Sequence, residues 1–248
     1  MRDNKKGKRL VKIAAGLLVL ILAAAAICAI LVPHELQRAA SKPTEGRTAT
    51  PVVVLLPETE ESIEVQGIDW AYWQSVNPDI VAWITIPETS IDYPIVQAHP
   101  DAPTHYLDYD AYGNYNFYGC AYVDAGCTLG SSNVIIFAHN MGYYDESMFT
   151  TLTYYLDQGY LAEHQQVVIQ TPEKNYVLKV RAATEVSPYG YEKRTDFEST
   201  EGLQDYYLWL WESAPSRCEK PAVDEVEKLF TLITCDKGGA VRTVVYVG

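Results

Sequence analysis

Residues 229–248 read LFTLITCDKGGAVRTVVYVG, two apolar stretches separated by Asp-Lys-Gly-Gly. This pattern predicts a β-hairpin whose strands flank the glycines. A two-residue turn at Gly238-Gly239 would place Cys235 directly opposite Arg242. A four-residue loop would place Cys235 opposite Ala240, with Arg242 as its diagonal neighbour on the same face. In either register the thiol and the guanidinium project from the same side of the sheet, because side chains alternate along a strand.

This pairing has a chemical meaning for Cys235. A cation beside a thiol favours the thiolate, which is the nucleophilic form. The guanidinium of Arg242 can also hold a carbonyl group or stabilise a developing oxyanion. The alternative interpretation is structural: a small buried cysteine beside a solvated strand arginine.

A nucleophilic cysteine also needs a group that carries protons, and His139 is the strongest candidate. It follows the apolar strand predicted over Asn133–Ala138 and precedes Asn140-Met141-Gly142, a predicted turn. A histidine at the end of a strand can protonate a leaving amine and accept a proton from an incoming one. A purely structural role for His139 is the alternative. The other histidines lie in less suitable settings: His34, His99, His105 and His164.

The rest of the domain combines short strands with a few helices. This mixture predicts a β-barrel that carries helical insertions. Helices are predicted over Gly67–Val76, Glu146–Asp157 and Leu203–Ala214, and strands over Ile80–Ile86, Ile91–Gln97, Tyr115–Asp124, Asn133–Ala138, Val167–Gln170, Tyr176–Ala182, Leu229–Cys235 and Ala240–Val247.

The N-terminus predicts a membrane anchor. Residues 13–32 read IAAGLLVLILAAAAICAILV, an uninterrupted apolar run of 20 residues, which is about the length of a bilayer-spanning helix. Residues 1–12 hold six basic residues and one acidic residue, so the positive-inside rule places them in the cytoplasm and residues 33–248 outside. A cleaved signal peptide is the alternative. Residues 33–65, which hold four prolines together with Ser, Thr and Glu, are predicted to form an extracytoplasmic stalk.

Charge and composition exclude several classes of protein. The chain has a formal net charge of −13, and since residues 1–12 contribute +5, the remainder carries −18. A body this acidic argues against nucleic acid as the main partner and against a polybasic lipid-binding surface. The hydrophobic content of 48% excludes a disordered chain.

The cysteines leave two interpretations open. The four outside the predicted anchor permit two disulfides in three pairings, although a domain of this size does not need such cross-links. The sequence contains no Cys-x-x-Cys pair and no His/Cys cluster with zinc spacing, so neither a metal site nor a cofactor is predicted. The other interpretation is that one cysteine is a nucleophile. The four are Cys120, Cys127, Cys218 and Cys235.

Together these motifs resemble a known family. Residues 231–235 (TLITC) resemble the TLxTC signature of sortases, Ala138-His139-Asn140-Met141 resembles their histidine motif, and Arg242 resembles their strand arginine. The similarity is greater to class B sortases and covers about residues 66–248. It rests on Asn77-Pro78-Asp79-Ile80, Trp83-Ile84-Thr85-Ile86, Tyr93-Pro94-Ile95-Val96-Gln97, Met148-Phe149, and the insertion Ser187–Lys228 with Thr195-Asp196-Phe197.

The resemblance implies a mostly β fold: a closed eight-stranded sortase-type barrel, with an N-terminal helix and a helix-bearing insertion before the cysteine strand. It implies a membrane-anchored transpeptidase on Gram-positive cells that cleaves a C-terminal sorting signal of the Asn-Pro-x-Thr type after Thr. The acyl group would pass through a thioester to an amine of a lipid II type peptidoglycan precursor. A sortase that joins pilin-type subunits and an anchored peptidase that only hydrolyses are the alternatives.

Residue roles follow from the same resemblance. Cys235 is expected to be the nucleophile, His139 the acid and base, and Arg242 the group that positions substrate or stabilises the oxyanion. Substrate contacts are expected from Leu107, Tyr191, Glu192, Ile233 and Thr234.

The chain also departs from the family pattern. The Cys235–Arg242 loop is short, and Pro103 occupies the position of the family's usual asparagine before Tyr106-Leu107. Cys120 follows Gly119 where a Gly-Ser pair is common. Cys120 and Cys127 are the extra thiols best placed to pair, and the preferred interpretation is that both are small buried residues.

Overall fold

The computed structural model describes residue 20 and residues 31–55, 62–189, 193–220, 223–236 and 239–248. Helices are α1, described over residues 31–41, α2 (Trp70–Val76), α3 (Gln158–Glu163) and α4 (Thr200–Ser213). Short 3₁₀ segments cover His105–Leu107, Thr150–Leu156 and Val223–Glu225. The strands in these residues are β1 (Val52–Leu55), β2 (Ser62–Val65), β3 (Ile80–Thr85), β4 (Asp92–Gln97), β5 (Ala121–Val123), β6 (Asn133–Phe137), β7 (Gln166–Gln170), β8 (Asn175–Val186), β9 (Ser216–Arg217), β10 (Leu229–Asp236) and β11 (Val241–Val247).

Eight of these strands close into a barrel. Neighbouring strands follow the order β11-β10-β6-β5-β4-β3-β7-β8, and β11 also pairs with β8, which completes the circle. The pairs β4–β5 and β6–β10 are parallel, and the other barrel pairs are antiparallel. The short strand β9 adds to β8 outside the circle. The predicted eight-stranded barrel is therefore confirmed.

The barrel interior is filled by small and branched apolar side chains that alternate along the strands. Ala82 and Ile84 of β3 and Val134 and Ile136 of β6 have no exposed surface. Alternation at a period of two sends these residues to the core and sends their neighbours to the outer face. On β3 the outer face is also buried, since Trp83 packs against other aromatic rings.

Helix α2 covers that outer face. Its N-cap is Asp69, whose carboxylate accepts a hydrogen bond from the backbone N–H of Tyr72 at 3.0 Å, which satisfies one of the free amide groups at the helix start. Trp73 is fully buried with its ring centroid 5.6 Å from that of Trp83. The helix ends at Asn77, before Pro78. The predicted N-terminal helix is thus present, although it begins at residue 70 rather than 67.

Two predicted elements differ from the structure. Only Ala121–Val123 of the stretch Tyr115–Asp124 is a strand. The helix predicted over Glu146–Asp157 is instead a 3₁₀ segment over Thr150–Leu156. Asp157 has extended backbone and caps α3 by accepting from the N–H groups of the next turn, so it ends one element and begins another.

The insertion between β8 and β10 carries helix α4, as predicted. Ser199 caps the helix by accepting from Gly202 N at 3.2 Å, and Ala214 ends it before Pro215. The guanidinium of Arg194 lies over the rings of Phe197 and Tyr206. This stacking fixes the segment that leads into the helix against the helix itself.

Part of the predicted stalk packs with the barrel. Arg47 forms an ion pair with Asp92 at 2.9 Å, and its guanidinium lies 3.9 Å from the ring centroid of Trp83. Trp73 Nε1 donates to Gly46 O at 3.1 Å. Strands β1 and β2 form a hairpin that packs on Val168. Composition alone marked this segment as a linker because its prolines and polar residues gave no periodic pattern.

The chain divides into two compact units, Met1–Ala40 and Ser41–Gly248. Within the described parts of the chain, no helix combines the length and hydropathy that crossing a bilayer requires. The predicted anchor at residues 13–32 falls outside the described residues, apart from Leu20, Leu31 and Val32.

Candidate active site

The cysteine and the histidine lie at the same end of two neighbouring parallel strands. Strands β6 and β10 pair in register from Leu229–Asn133 to Ile233–Phe137. Beyond the last pair, Ala138 N donates to Ile233 O at 3.2 Å. Continuing this register by two residues sets His139 beside Cys235. The register therefore brings these two positions to the same end of neighbouring strands, although 96 residues separate them in the sequence.

Cys235 and Arg242 face each other across the hairpin. They are direct register partners of β10 and β11, which is the arrangement predicted for a turn at Gly238-Gly239. Cys235 is exposed, whereas Arg242 is half-buried. The sulfur is thus open to a substrate from a face that also carries a fixed cation.

His139 is held through its Nε2 atom. This nitrogen lies 2.8 Å from the backbone carbonyl oxygen of Leu107. Because a carbonyl oxygen only accepts hydrogen bonds, Nε2 carries the proton and donates it. In the neutral imidazole, Nδ1 is then the free acceptor. The bond to the carbonyl can persist when Nδ1 gains a proton, since Nε2 is a donor in both forms of the ring.

The loop that follows His139 is braced from two sides. Phe149 N donates to His139 O at 2.9 Å, and Met141 N donates to Thr150 Oγ1 at 2.7 Å. Met148 has a positive φ of 56° and its N–H donates to Tyr93 OH at 2.9 Å. The Met-Phe pair singled out in the sequence therefore fixes the backbone that carries the histidine.

An aromatic floor lies beside the reactive groups. The ring of Phe137 stacks on that of Tyr122 with centroids 5.6 Å apart, and the Arg242 guanidinium lies 5.7 Å from the Phe137 centroid. Burial raises the pKa of the Tyr122 phenol, and the negative charges of Asp124 and Cys235 add to this rise, while Arg242 opposes it. Tyr122 is therefore a neutral hydroxyl at physiological pH.

The insertion crosses this floor on its way to α4. Lys193 Nζ lies 5.2 Å from the ring centroid of Phe137 and pairs with the carboxylate of Asp124. At the opposite end of β6, Asn133 binds the insertion through two hydrogen bonds: its backbone N–H donates to Thr195 O, and its side-chain amide donates to Arg194 O, both at 2.8 Å. The insertion is thus attached to β6 at both of its ends, and of these contacts only those of Lys193 lie near the site.

The five predicted substrate contacts have different outcomes. Leu107 is half-buried and contributes its backbone carbonyl to His139, a role that the sequence did not indicate. Ile233 has no exposed surface, and Thr234 is 1% exposed with its hydroxyl donating to Ala138 O at 2.9 Å. The side chains of Ile233 and Thr234 are therefore enclosed within the domain, and their predicted contact with a substrate stays a prediction. Tyr191 and Glu192 lie outside the described residues.

The other three described cysteines are less exposed than Cys235. None of the four forms a disulfide, and Cys120 and Cys127 are buried. Burial raises the pKa of both buried thiols, so they remain protonated. Among the described residues, no group of three His, Cys, Asp or Glu side chains is arranged to hold a metal ion.

Some residues of the site could have been found from the sequence. Phe137 precedes His139 by two positions, so strand alternation alone places both on one face. Lys193 and Tyr122 gave no such signal, because they reach the site from an irregular segment and a three-residue strand. The whole arrangement supplies a thiol, a base held in one tautomer and a fixed cation, which are the parts that acyl transfer through a thioester requires.

Known proteins resemble this chain in sequence and in fold. A family described as "Sortase domain" matches residues 84–247. Sortase B of Listeria monocytogenes is 32% identical over 165 residues, which are 66% of this chain and 65% of that protein. The match therefore spans just under two thirds of the length of this curated relative.

Solved structures agree with the sequence comparison. A Staphylococcus aureus sortase B–substrate complex has a TM-score of 0.63 and 25% identity, and the match covers 72% of this chain and 82% of that one. A sortase B complexed with triglycine has a TM-score of 0.64 and 25% identity, with 72% and 84% covered. The predicted resemblance to class B sortases is confirmed, and the chain belongs to the sortase family.

Proposed function

We propose that this chain is a cysteine transpeptidase in which Cys235 is the nucleophile, His139 the acid and base, and Arg242 the oxyanion-stabilising cation. The observation that carries the proposal is the convergence of the three groups at the end of β6, β10 and β11, with the thiol exposed. The family relationship supports the same reaction class.

The first half of the reaction forms a thioester. The Cys235 thiolate attacks the carbonyl carbon of the scissile peptide bond, and the electron pair of the C=O bond moves to oxygen. The Arg242 guanidinium stabilises that oxyanion with N–H donors held in a fixed geometry. When the intermediate collapses, the C–N bond breaks and the imidazolium of His139 gives its Nδ1 proton to the leaving amine.

The second half returns the enzyme to its starting state. An acceptor amine attacks the thioester carbonyl, and neutral His139 takes the proton that the amine loses. The new C–N bond forms as the C–S bond breaks, and Cys235 leaves as the thiolate. The Leu107 carbonyl stays bonded to Nε2 throughout, so the ring exchanges protons through one nitrogen only.

The substrate is proposed to be a C-terminal sorting signal of the Asn-Pro-x-Thr type on surface proteins, cleaved after Thr. The acceptor is proposed to be an amine of a lipid II type peptidoglycan precursor. Support comes from the relatives that carry the sortase B name, one of which is described as complexed with triglycine, a peptide that offers a primary amine.

The proposed location is the outer face of a cell membrane. The apolar run of residues 13–32 would anchor the protein, with the basic residues 1–12 in the cytoplasm and the catalytic domain outside. The contacts of Arg47 with Asp92 and of Gly46 with Trp73 support a domain that includes part of the predicted stalk. The spacer between the anchor and the domain would then be the shorter segment before residue 41, which includes helix α1.

The test uses the full-length chain purified in detergent with a fluorescent Asn-Pro-x-Thr peptide and triglycine. We expect a peptide–triglycine ligation product by mass spectrometry, and an intermediate whose mass increase maps to Cys235. His139→Ala is expected to abolish both. A chain that cleaves the peptide but gives the same products with and without triglycine would be a hydrolase, and one that forms no acyl-enzyme would contradict the proposal.

A further inference from the structure

The motif Asn77-Pro78-Asp79-Ile80 has no place in the reaction described so far, yet its side chains bind Tyr106, the residue before the histidine's hydrogen-bond partner Leu107. Tyr106, which precedes Leu107, donates its phenolic hydrogen to Asp79 Oδ2 at 2.6 Å. The same hydroxyl accepts from Asn77 Nδ2 at 3.3 Å. Both polar residues of the motif therefore bind one hydroxyl group, which belongs to the residue directly before Leu107.

This hydroxyl is held in a protected setting. Tyr106 is 4% exposed, and Asn77 is buried beside it. Asn77 Nδ2 also donates to Ala111 O at 3.1 Å, and its Oδ1 accepts from Asp79 N at 2.9 Å. The other carboxylate oxygen of Asp79 lies 2.9 Å from His99 Nε2. A hydrogen bond to a charged carboxylate is among the stronger ones in proteins, so the tyrosine is firmly anchored.

The backbone of the same segment is fixed from the opposite side. Cys120 N donates to Tyr106 O at 2.8 Å. Gly119 has a φ of +60°, and a Cβ on it would lie 2.5 Å from Tyr106 O and 2.6 Å from Leu107 O. Only glycine allows this close approach. The Leu107 carbonyl is therefore held between an anchored side chain and a closely packed loop.

We infer that Tyr106, clamped by Asp79 and Asn77, is a positioning residue that sets the Leu107 carbonyl against His139. The clamp thereby keeps the proton on Nε2 and leaves Nδ1 to exchange protons with Cys235 and with the amines. The inference rests on the proposed role of His139 as acid and base.

The expected consequence is specific to the chemical step. Displacing a catalytic group by about 1 Å lowers rates by up to ~10²-fold. Removing the Tyr106 hydroxyl leaves the exposed thiol and the aromatic floor in place, so we expect kcat to fall about tenfold with KM changed by less than about twofold. A hydrogen bond donated by a charged group is stronger than one donated by a neutral group. Loosening the Leu107 carbonyl should therefore destabilise the imidazolium of His139 more than the neutral ring and change the pH profile of Cys235 labelling.

The test compares Tyr106→Phe with Tyr112→Phe in the full-length chain. Tyr112 lies in the same segment and donates to the carboxylate of Glu45 at 2.8 Å, so it matches the chemistry without touching the Leu107 carbonyl. Peptide cleavage gives kcat and KM, and iodoacetamide labelling of Cys235 between pH 5 and 10 gives the reactivity profile. Thermal unfolding establishes that each variant is folded.

Three outcomes separate the possibilities. A lowered kcat and a shifted profile for Tyr106→Phe alone support the inference; parent-like behaviour of Tyr106→Phe, or equal losses in both variants, overturn it. If Tyr106→Phe does not fold, Asp79→Asn takes its place, since this variant retains an acceptor for the hydroxyl. We expect it to show a smaller fall in kcat and a smaller change of the labelling profile in the same direction. A labelling profile identical to the parent's would overturn the inference. A parent enzyme that shows no cleavage, or a fully active His139→Ala variant, contradicts the proposed function instead.

Discussion

Two cysteine environments in one barrel show what makes a thiol reactive. Cys235 is exposed at the end of β10 opposite Arg242. Cys127 is buried, and its sulfur lies 3.4 Å from Ile135 N as a hydrogen-bond acceptor. The residue type is the same, but one sulfur faces solvent beside a cation and the other is enclosed by backbone. Access and local charge, rather than the thiol itself, assign the chemistry.

Replacing each cysteine by alanine is the strongest test of the difference between Cys235 and Cys127. Cys235→Ala is expected to lower peptide cleavage by on the order of 10⁴-fold or more, because no other group supplies the nucleophile. Cys127→Ala should leave kcat unchanged and lower the free energy of unfolding by about 1–2 kcal/mol through the lost hydrogen bond and contacts. Steady-state cleavage and urea unfolding measure the two effects. Residual cleavage in Cys235→Ala that is close to the parent's would show that another group is the nucleophile.

The role of the Arg242 guanidinium can be tested with a variant that retains the positive charge. Arg242→Lys keeps the positive charge but loses the planar fork of donors, so kcat is expected to fall about 10²-fold. Arg217→Lys is the matched control, since Arg217 lies on β9 and its guanidinium stacks on Trp211 instead. Cleavage kinetics of both variants provide the measurement. Full activity of Arg242→Lys would mean that charge alone suffices.

Selective alkylation probes the two environments directly. In the folded chain at pH 8, iodoacetamide should modify Cys235 about two orders of magnitude faster than Cys120 or Cys127, since only an exposed thiolate reacts. Peptide mapping by mass spectrometry gives the rates. In urea the three rates should converge; comparable rates already present in the folded chain would contradict the assignment of two environments.

The smallest expected effect concerns Cys120. Its sulfur lies 3.5 Å from Pro94 O, so the hydroxyl of Cys120→Ser can still donate, and the free energy of unfolding at pH 7 should change by less than about 1 kcal/mol. Burial raises the thiol pKa in the folded state. The unfolded thiol ionises above about pH 8.5, so the parent loses stability as pH rises past that point.

Serine removes this source of pH dependence. Between pH 9 and 10.5, the stability of Cys120→Ser should fall less steeply than that of the parent, by up to about 1.4 kcal/mol per pH unit. Urea unfolding at several pH values measures both slopes. Identical slopes would show that Cys120 ionises equally in both states.

The sequence predicted the parts of the site that follow from local pattern. Alternation and turn chemistry were enough to pair Cys235 with Arg242 across the hairpin. The contact of Leu107 with His139 was not predictable in this way, because it joins a carbonyl in a short 3₁₀ segment to a side chain 32 residues away. The helix expected over Glu146–Asp157 had the right spacing of apolar residues, but bonds to the His139 loop and the Asp157 cap held it as a 3₁₀ segment.

The hairpin of β10 and β11 also determines at which stage of folding the site is assembled. Strand β10 pairs with β6 and β11 pairs with β8, so this hairpin closes the barrel on both sides. Contacts between such distant parts of a chain form late and slowly, because the loop between them must first be closed. A chain in which β10 and β11 have not yet docked has neither a closed barrel nor a thiol beside its histidine. The assembly of the site thus depends on the same docking step that closes the barrel.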